Sequence, residues 1–526
     1  MENENLLAAV DLGSNSFRLS VGRVVHQDGI SQIYSIDRLK ETVRLAAGLD
    51  DKKILSEEAI QRAVSVLQRF GERIHDFPPS KVRAVATNTF RVAKNIDELL
   101  PRAEQALGFP IEVIPGHEEA RLVFSGVTHE LPPSDERRLV VDIGGGSTEF
   151  IIGRHLNPEL MKSLSMGCVS YTKNYFPGGS VTADAFAKAE LAARKELEVI
   201  GKPYRKLGWS QAYGSSGTAK ALVAVLQDTG FSSLGITLDG MLKLKKELIS
   251  FGSARSPDLR GLKIDRMEVL PAGLAIMIAA FRELKIERML QGEGALRVGV
   301  LYDMIGRNTA SDKRDETVKQ YTRRYHIDVK QAARVKQLAL HFLNDINPQA
   351  SEDFRKALAW AADLHEIGLS ISQVSFHKHT AYVLENADMP GFSSADQKRL
   401  SMLTAAQQGR LDKLPYDLKS ISQEKRQAIL CLRLAVLFYR RRSSFSSDAI
   451  ALSLQDKCII LDVNKRWLDA HPLTRYSLSL EEQEWNNIGY NFKINTNNPR
   501  LNRQKLIEDT PAPSITVPVQ DPKPSA

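Results

Sequence analysis

The chain has 526 residues and a mass of 58.6 kDa, a length that predicts about three domains. Apolar residues make up 43% and charged residues 25%, the balance of a globular protein, so collagen-like, disulfide-scaffold and wholly disordered classes are excluded. The net charge of +8 favours polyanionic ligands such as nucleic acid, an anionic membrane or polyphosphate, although a well-solvated surface carries the same excess.

Cysteines and terminal sequence indicate the compartment. Cys168, Cys431 and Cys458 are too few and too scattered for a disulfide framework or a thiolate metal site. The N-terminus has no basic segment followed by a long apolar run, so no secretory signal is expected. The longest apolar stretch, residues 269–281, is too short to cross a bilayer. We therefore expect a cytoplasmic protein, and its charge is compatible with peripheral attachment to the inner face of the cell membrane.

One segment of the sequence occurs twice. DLGSNSFRLSVGR begins at Asp11 and DIGGGSTEFIIGR begins at Asp142, and the two align without gaps. Each lies between short apolar runs, which predicts a β-hairpin with a Gly/Ser turn. Helical periodicity follows each hairpin, over residues 56–74 and 182–200. Two related α/β domains are therefore predicted, at residues 1–125 and 126–305.

The sequence changes character near Asp312. Beyond it, Ala, Leu, Gln and Arg recur with helical spacing, interrupted by Pro348, Pro390 and Pro415. This pattern predicts a helical domain over residues 306–450 and a small α+β appendage over 451–508. The proline-rich end, residues 509–526, lacks core-forming residues and is predicted to be a disordered tail.

The two Gly/Ser turns suit a phosphate group. Glycine has no Cβ, so backbone N–H groups can approach an anion closely. A single such turn is more often only a hairpin turn, but a repeated pair facing across a cleft would clamp one phosphate. Asp11 and Asp142 start the turns and suit a divalent cation or its waters. The predicted phosphate-binding residues are Ser14, Asn15 and Ser16 in the first turn and Gly144, Gly145, Gly146 and Ser147 in the second.

The sequence lacks the motifs of other phosphate-binding proteins and phosphatases. The sequence contains no G-x-x-x-x-G-K-[ST] loop and no G-x-S-x-G elbow. None of the cysteines has an arginine six residues later, which argues against a thiolate phosphatase. Water is therefore the predicted nucleophile.

Several short motifs occur in a characteristic order: AAVDLGSNSFRL, ATNTFRVAKN, PGHEEARLVF, VVDIGGGSTEF, MGCVSY, YGSSGTAKAL and EGALRVGVLYD. Together they resemble the exopolyphosphatase and guanosine pentaphosphate phosphohydrolase (Ppx/GppA) family, within the sugar kinase, Hsp70 and actin superfamily. The resemblance runs from about residue 8 to 305. It implies two duplicated actin-like (ribonuclease H-like) α/β domains, followed by a mainly α-helical, degenerate HD-like C-terminal domain.

The resemblance also implies roles for particular residues. Glu119 falls at the position of the general base, and Arg91 at a phosphate-contacting arginine. Asp142 and Glu149 fall where relatives hold Mg²⁺ and the attacking water, with Asp11 as a further candidate ligand. These roles agree with what hydrolysis of a terminal phosphoanhydride requires: an in-line water, a base and positive charge on the phosphoryl oxygens. Without the resemblance, Glu119 would be interpreted as an exposed glutamate at a helix start.

Two further motifs are less specific. YGSSGTAKAL predicts a strand, a turn and a helix, which would present Gly214, Ser215, Ser216 and Gly217 to the phosphates or simply cap the helix. Cys168 is predicted to be a small packed residue.

The helical domain contains a His365–Glu366 pair that is weakly similar to HD metal-phosphohydrolase helices. The later helix contains no aspartate, so we do not expect an intact metal site there. We expect instead that this domain has a role in binding and dimerisation. Basic residues of this domain suit a groove for a long polyanion, although each alone is typical of a solvated surface. No aromatic residues interleave with them in the manner of a base-stacking platform, which argues against single-stranded nucleic acid. They are Arg323, Arg324, Lys330, Arg334, Lys336, Arg440, Arg441 and Arg442.

The leading hypothesis is an exopolyphosphatase that removes terminal orthophosphate from inorganic polyphosphate processively with Mg²⁺. The alternative is a guanosine pentaphosphate (pppGpp) 5′-phosphohydrolase that gives ppGpp. A sugar or acetate kinase would need an acceptor site, and an actin- or Hsp70-like switch would need an ATP-driven conformational change. The resemblance further suggests a homodimer whose substrate groove spans both subunits.

Overall fold

The computed structural model describes residues 5–27, 30–254, 262, 264–307, 312–443 and 449–502. The chain divides into two compact units. One comprises residues 1–317 and 388–395, and the other comprises residues 318–387 and 396–526. The predicted tail at 509–526 lies outside the described residues.

The first part of the larger unit forms a five-stranded sheet in the order β3-β2-β1-β4-β5. β2 is antiparallel to β1 and β3, whereas β4 and β5 run parallel to β1. Helix α1 begins after Ser56, whose side chain accepts a hydrogen bond from the N–H of Ala59. The elements are β1 (Leu6–Leu12), β2 (Ser16–Gln27), β3 (Ile30–Thr42), α1 (Glu57–Ile74), β4 (Val82–Ala86), α2 (Asn88–Val92), α3 (Ile96–Leu107), β5 (Ile111–Val113) and α4 (Gly116–His129).

The second part repeats this topology. Its sheet has the order β8-β7-β6-β9-β11-β10, with β7 antiparallel to both neighbours and β9 and β11 parallel to β6. The predicted duplication of an α/β domain is therefore confirmed. The elements are β6 (Arg138–Ile143), β7 (Thr148–Arg154), β8 (Asn157–Leu164), α5 (Cys168–Tyr175), α6 (Ala183–Leu207), β9 (Gln211–Ser215), α7 (Ser216–Asp228), β10 (Ile236–Thr237), α8 (Leu238–Phe251), α9 (Ile264–Met267), α10 (Leu270–Leu284), β11 (Arg288–Gln291) and α11 (Leu296–Arg307).

Each predicted hairpin has a third strand that the sequence pattern did not indicate. β3 forms one edge of the first sheet, and β8 lies at the equivalent edge of the second. β3 is largely solvent-exposed, β8 is partly exposed, and both carry many charged and polar side chains. Without an apolar run, a strand of this kind gives little periodic signal.

Helices α4 and α11 share an apolar core with both sheets. Glycines make the close approach of the two helices possible. A Cβ on Gly299 would lie 1.9 Å from the carbonyl oxygen of Leu122, and one on Gly294 would lie 1.9 Å from that of Gly126. The glycines of EGALRVGVLYD therefore determine the position in which α4, the helix that carries Glu119, packs against α11.

Replacing Gly299 with alanine should destabilise this packing. The new Cβ meets backbone, which cannot rotate away, so we expect a loss of about 1–3 kcal/mol in the free energy of unfolding. Urea denaturation of the purified variant measures it. Gly201→Ala on α6 is the matched control, because its Cβ would meet only the flexible end of Arg205. Equal stabilities of the two variants would contradict the tight α4–α11 contact.

The smaller unit is helical, as predicted, with a three-stranded sheet in the order β12-β13-β14. The predicted domain boundaries and the HD-like relationship remain predictions. The remaining elements of the chain are α12 (Lys313–Arg324), α13 (Val329–Ile346), α14 (Glu352–Leu364), α15 (Phe376–Asn386), α16 (Ser394–Ala405), α17 (Gln423–Phe438), β12 (Ile450–Gln455), β13 (Cys458–Val463), α18 (Lys465–Asp469), α19 (Pro472–Asn487), β14 (Asn491–Asn495) and α20 (Pro499–Asn502).

Within the described ranges, no helix combines the length and the apolar character needed to span a membrane. The apolar run at residues 269–281 falls almost entirely in α10, which is buried in the core of the second α/β domain.

Candidate active site

The two Gly/Ser turns face each other across a cleft in the larger unit. In each turn, a Cβ on the first glycine would lie 3.0 Å from the carbonyl oxygen of the closing serine, so the two turns share one internal geometry. A Cβ on Gly145 would lie 2.9 Å from the Cβ of Ser14, which brings the turns into close contact. The cleft is lined by Asp11, Gly13, Ser14, Asn15, Ser16, Arg18, Thr87, Glu119, Val123, Asp142, Ile143, Gly144, Gly145, Ser147, Cys168, Ser216, Arg266, Ala295 and Leu296.

Two side chains of the first turn have unused hydrogen-bonding groups. Asn15 Nδ2 and Ser16 Oγ are buried, and neither has a hydrogen-bond partner among the described residues. A buried donor without a partner is unfavourable unless a ligand supplies the acceptor. Phosphate oxygens would supply it. Gly146, by contrast, is not in the cleft lining; a Cβ there would meet Asn88 Oδ1 at 2.3 Å.

The start of α5 supports the second turn from behind. The N–H groups of Cys168 and Val169 donate to the carbonyl oxygens of Gly144 and Gly145, both at 2.9 Å. Cys168 is buried, and burial raises the pKa of its thiol. The thiol therefore stays protonated and packed, which disfavours it as a nucleophile.

Glu119 lies in the first turn of α4 and lines the cleft. It is buried, unlike an ordinary glutamate at a helix start. Arg91 on α2 donates from Nη1 to Glu119 Oε2 at 2.8 Å and to the carbonyl oxygen of Ile114 at 2.8 Å. Burial raises the pKa of Glu119, Arg91 opposes that shift, and the charges of Asp142 and Asp11 add to it. A carboxylate of raised pKa is a better proton acceptor.

Asp142 and Glu149 lie directly opposite each other on the antiparallel strands β6 and β7. Opposite residues of such a pair place their side chains on the same face. Ser163 Oγ donates to Glu149 Oε1 at 2.8 Å. Burial raises the pKa of Asp142, whereas the neighbouring polar groups of Ser216 and Ser215 lower it. Burial, followed by the charges of Glu119 and Asp142, holds the pKa of Glu149 well above its usual value.

The two copies of the repeat differ at one informative position. In the first sheet Asp11 lies opposite Arg18, whereas in the second sheet Asp142 lies opposite Glu149. Burial raises the pKa of Asp11, and the charges of Arg18 and Arg297 lower it. The first hairpin therefore pairs an acidic side chain with a basic one. The second pairs two carboxylates, Asp142 and Glu149, which we call the acidic pair.

The acidic pair fits a Mg²⁺ ion. Mg²⁺ prefers oxygen ligands and is usually held by one or two carboxylates together with waters and substrate phosphates. Among the described residues, no group of three His, Cys, Asp or Glu side chains is arranged to hold a metal ion. Asp11 and Asp142 line the cleft, whereas Glu149 does not. A site with one or two carboxylate ligands, completed by substrate phosphates and waters, suits this arrangement better than three direct protein ligands.

The raised pKa of Glu149 predicts a pH-dependent stability. A carboxyl whose pKa is raised by folding contributes stability below its unfolded pKa and loses it as pH rises through the folded pKa. Glu149→Gln should therefore unfold at a higher temperature than wild type at pH 7.5 without metal, and the difference should shrink towards pH 4.5. Glutamine can still accept the hydrogen bond from Ser163. Thermal denaturation at the two pH values measures the effect, and equal melting temperatures at pH 7.5 would contradict it.

The third turn contributes one residue to the cleft. Of the four predicted residues Gly214, Ser215, Ser216 and Gly217, only Ser216 is in the lining. Ser215 is buried and donates to the carbonyl oxygen of Gly294 at 3.1 Å. Ser216 starts α7 with a φ of 63°, a strained value for serine that is often found at functional sites. Direct contact of phosphate with the other three residues is not supported by their placement.

Sequence reasoning missed three arginines. Arg18 and Arg266 line the cleft. Arg297 Nη1 is buried, has no hydrogen-bond partner within the described ranges and lies 4.0 Å from Asp11. Arg18 stands in the repeat where the second copy has Glu149, so the alignment of the copies carried a signal for it. Arg266 and Arg297 come from distant segments and had no such signal.

Part of the predicted basic groove in the helical unit is neutralised. Lys336 pairs with Asp363 at 2.9 Å, and Arg442 pairs with Glu366 at 2.6 Å. His365 is buried, burial lowers its pKa, and its Nδ1 lies 2.6 Å from the carbonyl oxygen of Ala362. These contacts are typical of a structural histidine.

Comparison with known proteins identifies the family. The model of the Ppx/GppA phosphatase family matches residues 23–308, and the model of Ppx/GppA phosphatase domain III matches residues 313–482. The chain belongs to the Ppx/GppA phosphatase family. The family match includes Arg91, Glu119, Asp142 and Glu149, whereas the first Gly/Ser turn precedes it.

Solved structures share the Ppx/GppA phosphatase fold. An exopolyphosphatase from Cytophaga hutchinsonii is 24% identical, with a TM-score of 0.51, and the match covers 57% of this chain and 97% of that one. An exopolyphosphatase-like protein is also 24% identical, with a TM-score of 0.50 and coverage of 57% and 98%. An Aquifex aeolicus member of the family is 26% identical, with a TM-score of 0.47 and coverage of 58% and 99%.

Proposed function

We propose that this Ppx/GppA phosphatase hydrolyses the terminal phosphoanhydride of inorganic polyphosphate and releases orthophosphate processively. The observation that carries the proposal is the buried Glu119, held by Arg91 at 2.8 Å and facing the paired phosphate turns. A solved protein of the same fold is named an exopolyphosphatase.

The proposed mechanism assigns one task to each group. Glu119 orients a water molecule and accepts its proton as the water attacks the terminal phosphorus. The side chains of Asn15 and Ser16 and the second turn hold the phosphoryl oxygens, and Arg91 offsets their growing charge. Asp142 and Glu149 would hold Mg²⁺, which when bound neutralises phosphate charge.

Two features favour polyphosphate as the substrate. No aromatic side chain occurs among the described residues that line the cleft, so no ring is available there to stack a base. Arg323, Arg324 and Lys330 of the helical unit, for which the described residues supply no salt bridge, suit contacts with a polyanion. We also propose that the enzyme forms a homodimer and that it contacts the membrane peripherally.

The second candidate substrate is pppGpp. The guanidinium group of Arg266 lines the cleft and lies so close to Gly217 that a Cβ there would be 2.3 Å from its Nη2. A planar guanidinium can stack on a purine base. This contact is the feature that would favour a nucleotide.

Parallel assays of orthophosphate release separate the two substrates. Long-chain polyphosphate and pppGpp are supplied with Mg²⁺ at matched concentrations of terminal phosphate. We expect faster release from polyphosphate, with long chains persisting on a gel while phosphate accumulates. Faster release from pppGpp would make the protein an alarmone phosphatase, and no release from either would reject hydrolysis.

A further inference from the structure

A second pocket adjoins the active-site cleft. The ion pair between Glu119 and Arg91 separates them, because Glu119 lines the cleft and Arg91 lines the second pocket. Ser147 of the second phosphate turn lines both. The second pocket also contains His117 and Lys162. Nothing in the proposed hydrolysis uses these two side chains.

The second pocket presents hydrogen-bond donors that lack acceptors. Arg91 uses only Nη1 for Glu119 and Ile114, and no described residue accepts from its Nη2 or Nε. His117 Nδ1 is buried, and the part of the chain that the structure describes offers it no hydrogen-bond partner. Lys162 forms no salt bridge with any described residue. Such a set of donors suits a small anion with several oxygens.

Other groups add to this character. Ser163, which also lines the pocket, brings a hydroxyl group to its wall. The first turn of α4, at Gly116 and His117, has no side-chain cap, so its N–H groups contribute positive potential. The pocket is therefore polar and cationic on several sides.

One lining residue is a carboxylate. Asp388 belongs to the larger unit, and its charge acts on His117. A carboxylate beside an anion is favourable only when the anion carries a proton to donate to it. Orthophosphate keeps at least one P–OH group at neutral pH, whereas sulfate and the internal groups of polyphosphate have none. Asp388 would therefore select orthophosphate.

We propose that this second pocket is a binding site for orthophosphate, the product of the reaction, separate from the cleft that holds the chain. The assignment to product rests on the proposed hydrolysis. A processive enzyme keeps the shortened chain bound, so each released phosphate has to leave by a route that the chain does not occupy. Arg91 lines the second pocket and donates to Glu119 of the cleft, so it lies between the two compartments and would pass the anion from one to the other.

Equilibrium dialysis of the full-length protein with labelled orthophosphate and Mg²⁺ tests the site. A methylene-bridged triphosphate analogue, which cannot be hydrolysed at the bridges, fills the cleft during the measurement. We expect wild type to bind phosphate under these conditions and to prefer it to sulfate. Lys162→Glu should weaken phosphate binding about tenfold, because a charge-assisted hydrogen bond is lost and a like charge is added.

Two further variants sharpen the test. Asp388→Asn should remove the preference for phosphate over sulfate. Lys188→Glu, which changes an exposed lysine paired with Asp184 on α6, should leave phosphate binding unchanged. Circular dichroism confirms that each variant is folded.

Several outcomes would overturn the proposal. One is full displacement of phosphate by the triphosphate analogue, since both ligands would then share one site. Another is an unchanged phosphate affinity in Lys162→Glu. A third is a rise in KM for polyphosphate equal to the loss of phosphate affinity, which would assign the pocket to the substrate track. Dialysis needs no turnover, so a protein that binds phosphate as expected but hydrolyses nothing would reject only the proposed function.

Discussion

Glu119→Gln is expected to lower kcat by about 10²–10⁴-fold, the usual contribution of a general base. Glutamine keeps the size of the side chain and can accept the hydrogen bond from Arg91 Nη1, so the contact seen at 2.8 Å is retained. What is lost is the ability to take a proton from water. KM should change little, because the paired turns and Arg91 still hold the phosphoryl group.

Steady-state release of orthophosphate measures the effect, with Glu130→Gln as the control. Glu130 follows the same helix, α4, but is exposed, so its variant should behave like wild type. A kcat above a tenth of the wild-type value in Glu119→Gln would exclude Glu119 as the base. A fall in both variants would instead point to damage to the helix.

The pH profile carries a second readout of the same residue. Since burial raises the pKa of Glu119, kcat/KM should fall with decreasing pH at a higher pH than an ordinary glutamate would cause. This acidic limb of the kcat/KM profile reflects protonation of the base in the free enzyme. Glu119→Gln should abolish that limb in whatever activity remains.

The sequence predicted the parts of this site that depend on local pattern. The repeat at Asp11 and Asp142 predicted two hairpins with equivalent turns, and the structure contains both. The pairing of Asp142 with Glu149 follows from the hairpin alone, because a four-residue turn sets their register. The start of a helix at GHEEAR was also predicted from local sequence.

Other parts depend on tertiary packing, which no local pattern encodes. Glu119 faces the cleft because α4 packs closely against α11, and Gly126 and Gly299 make this close packing possible. Arg266 reaches the cleft from a segment more than a hundred residues beyond the second turn. Ser215 illustrates the opposite case, because the predicted Gly/Ser motif ends a strand there and the serine is buried. Small polar residues suit both a phosphate loop and a close helix–strand contact, so their identity alone does not distinguish the two.

Gly145→Ala tests whether the approach of the two turns matters for activity. Gly145 does not have a positive φ, so its backbone conformation is open to alanine and only the space is restrictive. The added Cβ would lie 2.9 Å from the Cβ of Ser14 and 3.3 Å from the backbone nitrogen of Asn15. The turns must move apart, and a misplacement approaching 1 Å is expected to lower kcat/KM by about 100-fold.

A second substitution shows whether contact between the turns is the cause. Ser14→Gly removes the Cβ that the new methyl group meets, so the double variant should recover part of the kcat/KM lost in Gly145→Ala. The coupling free energy of the double-mutant cycle then reports on the contact directly. Thermal unfolding should change little in either variant, because the turns border the cleft rather than the hydrophobic core. Additive losses in the double variant would mean that the turns act independently, and each would then bind phosphate without the clamp that their duplication suggests.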